Sequence, residues 1–200
     1  SGSITDLCDA IRMTGLNKFH DLVLAASMMK LDYSNDILPL RNFWRCSLFS
    51  GILASALGNF LKMKNSEDLY IIGLLHKIGC LVIYSKYPDQ AKKALLKSKK
   101  HNQPDHAAEL AVLGFHYGHV GAKLMALWRL PVALQVAIYY QTTPIDAPME
   151  QQKTALLHVV HGYAQQYLYG NEVDLDQLIL PDAWALARCK PEQVESMLAQ

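Results

Sequence analysis

The stretch Tyr70–Tyr84, YIIGLLHKIGCLVIY, is almost entirely apolar, yet a histidine and a lysine stand side by side at its centre. Its apolar face repeats with helical spacing, at Leu69, Ile72, Leu75, His76 and Gly79. This period predicts one buried helix rather than a strand. Glycine is tolerated in a buried helix mainly where another element packs closely or where the helix ends. A histidine beside a charged residue in a core indicates a metal site or the remnant of one.

The length and composition predict one soluble domain over residues 1–200. The 200 residues are 51% hydrophobic and 18% charged, which is enough to bury a sizeable core. The net charge of +1 gives no electrostatic reason to expect nucleic acid or acidic lipid as a partner. The longest runs without a charged residue or a histidine, Cys46–Leu61 and Leu130–Ile145, have 16 residues each. A bilayer-spanning helix needs roughly 20, so we expect no membrane contact.

The cysteines indicate a reducing compartment. Cys8, Cys46, Cys80 and Cys189 are scattered, without a Cys-x-x-Cys pair. Three of them lie in apolar surroundings, as buried, reduced thiols do. We therefore expect a cytoplasmic protein.

Helix start and stop signals occur throughout the chain, whereas strand and hairpin signals are nearly absent. The pattern predicts an all-α domain, a single helical bundle of about ten helices. The predicted helices begin or end at Ser3–Met13, Asn17–Met29, Pro39–Lys62, Ser66–Tyr84, Pro88–Lys100, Asp105–Leu113, Tyr117–Trp128, Pro131–Gln141, Glu150–Tyr169, Pro181–Ala187 and Pro191–Leu198. The predicted core positions are Leu22, Trp44, Leu48, Leu75, Ile78, Val120, Leu124, Trp128, Leu157 and Val160.

Histidines are the richest source of candidate chemistry. His116 and His119 are three residues apart on a predicted helix, and so are His158 and His161. Side chains at this spacing point the same way and can chelate a metal, together with a carboxylate such as Glu109. The alternative is that they are surface or half-buried histidines at helix ends.

Other functional patterns are weak. The lysines of the predicted helix Pro88–Lys100 lack the interleaved aromatic residues of a nucleic-acid surface, so they indicate a solvated helix face. The chain has no Gly-x-Ser-x-Gly nucleophile motif and no glycine-rich phosphate loop. The aromatic residues Trp44, Trp128, Tyr139 and Tyr140 are expected in the core rather than around a ligand.

Gly73-Leu-Leu-His-Lys-Ile-Gly79 resembles the His-Asp signature of the HD superfamily of metal-dependent phosphohydrolases. The wider pattern is similar to that of the HDOD family, the HD-related output domain of bacterial signalling proteins. The matching segments follow one another in the right order: Asp6–Leu24, Phe43–Ser47, Glu109 with Leu113-Gly114-Phe115, Val120-Gly121-Ala122, and Trp128-Arg-Leu-Pro131. The resemblance implies an HD-superfamily-like fold over nearly the whole chain. Since the family usually has further helices before Asp6–Leu24, two alternatives stay open, a complete domain and one without the first N-terminal helices.

The resemblance also implies that the superfamily's metal ligands are mostly replaced. The family's first histidine position corresponds to Cys46, and the aspartate of the His-Asp pair corresponds to Lys77. Later histidine positions correspond to Tyr117 and Gln141, and the late aspartate corresponds to His161. Of the ligand set, only His76 is retained. An ammonium in place of a carboxylate repels a cation, so we expect no metal cofactor and no HD-type phosphohydrolysis.

We expect Lys77 to fill the place of the cation and to pair with Glu109 or another acid. The resemblance implies a non-catalytic signal-transduction module that contacts other signalling proteins or domains. The alternatives are a divergent phosphohydrolase that rebuilt a metal site from His76, His116, His119 and His161, and a nucleotide-sensing pocket without hydrolysis.

Overall fold

The structure of the chain is a computed structural model, and it describes residues 40–101, 103–170 and 173–199. The two helices predicted before Met29 lie outside the described residues, as do Cys8, Leu22 and the segment Asp6–Leu24. The fold described below is that of the remaining ranges.

The described part of the chain is all-α, with no strand, as the sequence predicts. Its helices are α1 (Leu40–Phe60), α2 (Glu67–Leu75), α3 (Ile78–Lys86), α4 (Pro88–His101), α5 (Asp105–Leu113), α6 (Tyr117–Leu127), α7 (Val132–Tyr139), α8 (Gln151–Tyr169), α9 (Leu175–Leu178), α10 (Pro181–Ala187) and α11 (Pro191–Leu198), with a 3-10 turn at Pro144–Asp146. Most bounds agree with the prediction to within two residues. The short helix α9 was not predicted.

The apolar stretch Tyr70–Tyr84 is two helices, so the prediction of one continuous helix was wrong. Its helical path is interrupted at His76 and Lys77, where Lys77 has φ −107° and ψ 14°. A residue outside the stretch stabilises the break, because the side-chain amide of Gln141 donates a hydrogen bond to the His76 carbonyl at 2.8 Å. The turn lies between two apolar helices, and this places both side chains at the centre of the fold.

The interior has two adjoining hydrophobic cores. One joins α2 and α3 to α6 and α7, and the other joins α1 to α8, α10 and α11. Helix α8 contributes Leu157 to the first core and Val160 to the second, and α2 likewise contributes to both. Helices α2 and α8 therefore connect the two halves of the bundle.

Two glycines of the central stretch let neighbouring helices approach closely, as their sequence context predicts. A Cβ atom on Gly73 would lie 2.5 Å from the Ser50 carbonyl oxygen of α1. A Cβ atom on Gly79 would collide with the Tyr117 carbonyl oxygen and would lie 2.8 Å from the Gly121 nitrogen, both in α6. The two contacts fix α2 against α1 and α3 against α6.

The predicted core is largely confirmed within the described residues. Leu75, Ile78, Leu157 and Val160 are fully buried. The predicted positions Trp44, Val120, Leu124 and Trp128 are half-buried and pack against the first core. Tyr139, which was also expected in the core, is 42% exposed.

Leu48 was predicted as a core residue, but it is 49% exposed. Helix α1 turns its small residues inward, including Ser47, Ser50, Gly51 and Ala54. These residues allow α2 and α8 to pack close to the α1 backbone. The bulkier Leu48 and Ile52 lie on the opposite face of α1, so the prediction that Leu48 is buried was wrong.

One described helical stretch, Asp68–Lys86, is long and apolar enough by length and composition to cross a bilayer. Of its most apolar 18-residue window, 61% is buried inside the fold. This burial is what a core helix pair shows, so the stretch is only weak evidence for a membrane span.

The first turn of α6 is hydrogen bonded to a carboxylate of α5. The Glu109 side chain accepts a hydrogen bond from the Tyr117 backbone N–H at 2.7 Å, so it satisfies a donor of the first turn of α6. Glu109 is 4% exposed. Burial raises the pKa of its carboxyl to about 7, although the Tyr117 N–H and the Lys77 ammonium act in the opposite direction.

We predict that Gly79→Ala destabilises the protein by about 3 kcal/mol, because the added methyl group must separate α3 from the backbone of α6. Urea unfolding followed by circular dichroism measures the change. Ser196→Ala on the exposed face of α11 is the control and should change the stability by only a few tenths of a kcal/mol, to order of magnitude. Equal stability of Gly79→Ala and the parent protein would contradict the close contact.

The second prediction concerns pH. The Glu109 pKa is higher in the folded protein than the ordinary value of 4.5, so the folded state binds more protons than the unfolded state between about pH 4.5 and 7. Glu109 therefore adds stability at low pH that is lost as the pH rises through this window, by an amount on the order of 3 kcal/mol.

Glutamine does not titrate, so Glu109→Gln should not lose this stability as the pH rises. The unfolding free energy of the variant, relative to that of the parent, should therefore increase from pH 5 to pH 8. Groups that titrate in both proteins, including the histidines, cancel in this difference. Exposed Glu195→Gln provides the control. A difference that does not vary with pH would refute the raised pKa.

Candidate functional site

His76 and His161 form a direct hydrogen-bonded pair at the centre of the fold. His76 follows α2, and His161 lies on α8. The two rings approach with His76 Nε2 3.1 Å from His161 Nδ1. The other nitrogen of His76, Nδ1, lies 2.7 Å from the Gly73 carbonyl oxygen. Since a carbonyl only accepts, His76 Nδ1 carries a proton and donates it to Gly73.

Lys77 makes an ion pair with Asp105, the first residue of α5. Lys77 Nζ lies 3.3 Å from Asp105 Oδ2 and 5.0 Å from the centre of the Tyr117 ring. The second carboxylate oxygen of Asp105 lies 3.0 Å from the Ser98 hydroxyl. The expected partner Glu109 caps α6 instead, so Asp105 is the acid that pairs with Lys77.

The pair is charged in the folded protein. Burial is the largest single effect and works against the Lys77 ammonium, but the facing Asp105 carboxylate, together with smaller contributions from Cys80, Tyr117 and Cys46, holds the lysine pKa well above its usual range. Burial likewise acts to raise the Asp105 pKa, yet Lys77 and the Ser98 hydroxyl hold it below its ordinary value. The Lys77 side chain is 12% exposed and that of Asp105 is 40% exposed, so Asp105 forms the solvent edge of the pair.

Burial and the adjacent ammonium keep the central histidines neutral. Burial, followed by the charge of Lys77, lowers the pKa of His76 to about 3. The same two causes hold the pKa of His161 well below its usual value, with a smaller contribution from His76. Neutral His76 has no proton on Nε2, because its proton is on Nδ1. His161 Nδ1 therefore donates the hydrogen bond to His76 Nε2.

The other positions named by the resemblance surround this centre. Cys46 of α1 is buried, and burial raises its thiol pKa. Its sulfur lies 3.9 Å from the Gln165 side-chain nitrogen. Tyr117 is 1% exposed and covers Lys77 with its ring. Gln141 is 2% exposed and donates to the His76 and Ile138 carbonyls, both at 2.8 Å.

The members of the two predicted histidine pairs make contacts that differ from metal chelation. His116 Nδ1 accepts a hydrogen bond from the Gly118 N–H at 3.0 Å, and His116 is therefore the N-cap of α6. The His119 ring lies against it, with 3.8 Å between ring centres, and also against Tyr139 at 4.6 Å. These contacts are structural ones at a helix start, as in the alternative reading of the sequence.

His158 also has a structural role. Its Nδ1 lies 2.7 Å from the Gln141 carbonyl oxygen, and its Nε2 accepts from the Leu180 N–H at 3.1 Å. Both ring nitrogens are thus occupied, and His158 joins α8 to the residue before α10. Of the pair His158 and His161, only His161 reaches the centre.

These side chains do not fit a divalent metal ion. In residues 40–101, 103–170 and 173–199, no group of three or more His, Cys, Asp or Glu side chains is arranged to hold one. Both nitrogens of His76 are hydrogen bonded, the next position is an ammonium, and the Cys46 thiol is held protonated. The four histidines proposed for a rebuilt site are divided between the central pair and the start of α6.

A cavity of about 440 Å³ opens beside the central pair. Its wall includes Asp105, His106, Tyr117, Gln141, His161 and Gln165. Asp105 and His106 were not singled out from the sequence. They stand 28 and 29 positions after Lys77, and no local pattern connects them to it. The only sequence feature that marks this position is the carboxylate of Asp105 at the start of a predicted helix.

Comparison with known proteins agrees with this fold. The HDOD domain profile matches residues 1–144. An HDOD domain protein of unknown function from Geobacter sulfurreducens has a TM-score of 0.72 and 18% identity, with 100% of this chain and 72% of that chain covered. The MmoQ response regulator from Methylococcus capsulatus str. Bath has a TM-score of 0.69 and 17% identity, with 100% and 78% covered. A candidate phosphohydrolase from Shewanella amazonensis SB2B has a TM-score of 0.59 and 21% identity, with 96% and 76% covered.

A curated relative, an uncharacterized protein of Treponema pallidum (strain Nichols), is 27% identical over 149 residues. The match covers 72% of this chain but 28% of that protein, so the chain spans less than a third of its length. The structural likenesses are below 25% identity and establish the fold alone. Because the family profile matches well over half of the sequence, the chain belongs to the HDOD family.

Proposed function

We propose that this chain is a non-catalytic signal-transduction domain of a bacterial regulatory protein. It acts in the cytoplasm through contacts with other signalling proteins or domains, without binding nucleic acid or membrane. Membership of a signalling-associated family supports this assignment, and one protein of similar fold is a response regulator. The exposed lysines of α4 lie on a solvated face, which agrees with the absence of a nucleic-acid surface pattern.

The observation that carries the proposal is the ion pair between Lys77 and Asp105, 3.3 Å apart beside the hydrogen-bonded His76 and His161. The ammonium supplies permanently, from within the chain, the positive charge that a metal ion supplies in HD enzymes. A metal-activated water requires an open coordination position on the ion. An ammonium has no such position. The centre therefore has a positive charge, as the superfamily site has with its metal ion, but it has no Lewis acid to activate water.

The ion pair also suits a structural role. It joins the turn between α2 and α3 to the start of α5, and Gln141 joins the same turn to the end of α7. Breaking one partner of a buried pair leaves an uncompensated charge, which is costly. The former reaction centre thus acts as a rigid connection among four helices, and a rigid module is suited to present a constant surface to partners.

The alternative function is phosphohydrolysis at a rebuilt centre. The similarity in fold to a candidate phosphohydrolase from Shewanella amazonensis SB2B favours it. It requires His116 and His119 to join His76 and His161 around one ion. His116 instead caps α6, and His119 packs on Tyr139.

Metal analysis and a hydrolysis assay test the two functions. Protein produced in medium with added manganese should contain well below one metal ion per chain. Hydrolysis of bis(p-nitrophenyl) phosphate with Mn²⁺ should equal the rate of the matched His76→Gln variant. Stoichiometric metal in the parent protein, or hydrolysis that depends on His76, would instead favour the enzyme.

A double-mutant cycle tests the ion pair. Lys77→Met and Asp105→Asn should each destabilise the protein by about 1–3 kcal/mol, less than for a fully buried pair because the Asp105 carboxylate is partly exposed. The double variant should be more stable than the sum of the two losses predicts, since neither charge is left without its partner. Chemical denaturation at pH 7 provides the four free energies. Strict additivity would show that Lys77 and Asp105 do not interact.

A further inference from the structure

The cavity beside the central pair is of the size and character of a small-molecule site. Its volume of about 440 Å³ lies within the range of roughly 300–1,000 Å³ that is usual for ligand pockets. The half-buried imidazoles of His106 and His161 form part of its wall, whereas Tyr117 and His158 line it while only 1% and 5% exposed. Such rings offer flat faces to a planar ligand.

The direction of the hydrogen bond between His76 and His161 leaves Nε2 of His161 able to accept a hydrogen bond. His76 donates to the Gly73 carbonyl and accepts from His161 Nδ1. Neutral His161 therefore has a lone pair on Nε2, and no described residue is hydrogen bonded to that atom. Because His161 lines the cavity, we infer that this lone pair is offered to a donor there.

Two further polar atoms of cavity-lining residues lack partners. Gln141 uses both side-chain N–H groups on carbonyls, and its buried Oε1 has no partner within the described part of the chain. The buried Nε2 of Gln103 is also without a partner there. Buried polar groups are usually hydrogen bonded, so the Gln141 acceptor and the Gln103 donor are available to a polar ligand at this cavity.

The charges at the cavity select against ionic ligands. Among its described lining residues the charged groups are the carboxylates Asp105 and Asp174, with no lysine or arginine. A phosphate would face these carboxylates without a cation to bind it. The nearby Lys77 is already paired with Asp105, and its ammonium also repels a cationic ligand.

We propose that this cavity binds a small, uncharged, planar heterocycle that offers a hydrogen-bond donor beside an acceptor, of the class of nucleobases and nucleosides. The ligand donates to His161 Nε2 and stacks against the imidazole ring of His106. The observations that support this site do not rest on the signalling role proposed above. The site differs from a nucleotide sensor because it excludes the phosphorylated form.

Isothermal titration calorimetry with paired probes tests the site. The parent protein is titrated with adenosine, guanosine, cytidine and uridine, and with the 5′-monophosphate of each. At least one nucleoside should bind at millimolar concentration or below, and its monophosphate should bind at least about tenfold more weakly. Failure of all four nucleosides, or equal binding of a nucleoside and its monophosphate, overturns the proposal.

Two substitutions at one position test the contact with His161. In His161→Gln, the side-chain carbonyl takes the place of Nε2 as the acceptor, whereas His161→Asn keeps a donor for His76 but is too short to reach the ligand. Binding should fall about tenfold in His161→Asn and less in His161→Gln. The exposed His101→Asn of α4 is the control and should bind as the parent does. Equal binding by both His161 variants and the parent overturns the assigned contact.

The parent protein alone provides a readout if either variant fails to fold. Nuclear magnetic resonance of ¹⁵N-labelled histidine should show His161 with its proton on Nδ1. Addition of the bound nucleoside should shift the Nε2 resonance of His161 and leave that of His101 in place. A proton on His161 Nε2 in the free protein contradicts the hydrogen-bond direction and overturns the proposal.

Discussion

The buried ammonium of Lys77 is the constraint on which the centre of this protein depends. It is stabilised by the Asp105 carboxylate and the face of the Tyr117 ring, and it lowers the pKa of both His76 and His161. Two histidines can share a direct hydrogen bond only when one of them presents an unprotonated nitrogen. Burial, together with the positive charge beside them, secures that state.

The position of Lys77 follows from how closely the helices approach. Gly73 lets α2 lie against the backbone of α1, and Gly79 lets α3 lie against α6. The turn between α2 and α3 is thereby held where its side chains meet α5, α6 and α8. A methyl group at either glycine would separate the backbones whose proximity brings these charged and aromatic groups together.

Membership of the HDOD family establishes the fold, and the chemistry must be argued from the residues at the centre. The superfamily arrangement brings several polar side chains from distant helices to one place. In this chain, the side chains that meet at the centre include an ammonium, a thiol, a phenol, an amide and two imidazoles, and they form a hydrogen-bonded connection beside a cavity. The cavity and the connection share His161 and Asp105, which allows a ligand in the cavity to affect the joint between the helices.

The sequence by itself determined the helical class, most helix bounds and the residues at the centre of the apolar stretch. These features depend on local periodicity, on capping residues and on glycine or proline, all of which act within a few positions. The family resemblance likewise identified Cys46, Lys77, Tyr117, Gln141 and His161 as positions around one centre.

Only the tertiary structure decided that the stretch breaks at His76 and that Asp105 rather than Glu109 pairs with Lys77. It also turned Leu48 outward, because small residues on α1 pack better against α2 and α8. Each of these outcomes depends on contacts between residues far apart in the chain. Such contacts are selected by packing and by the need to pair buried charges, and neither leaves a local pattern in the sequence.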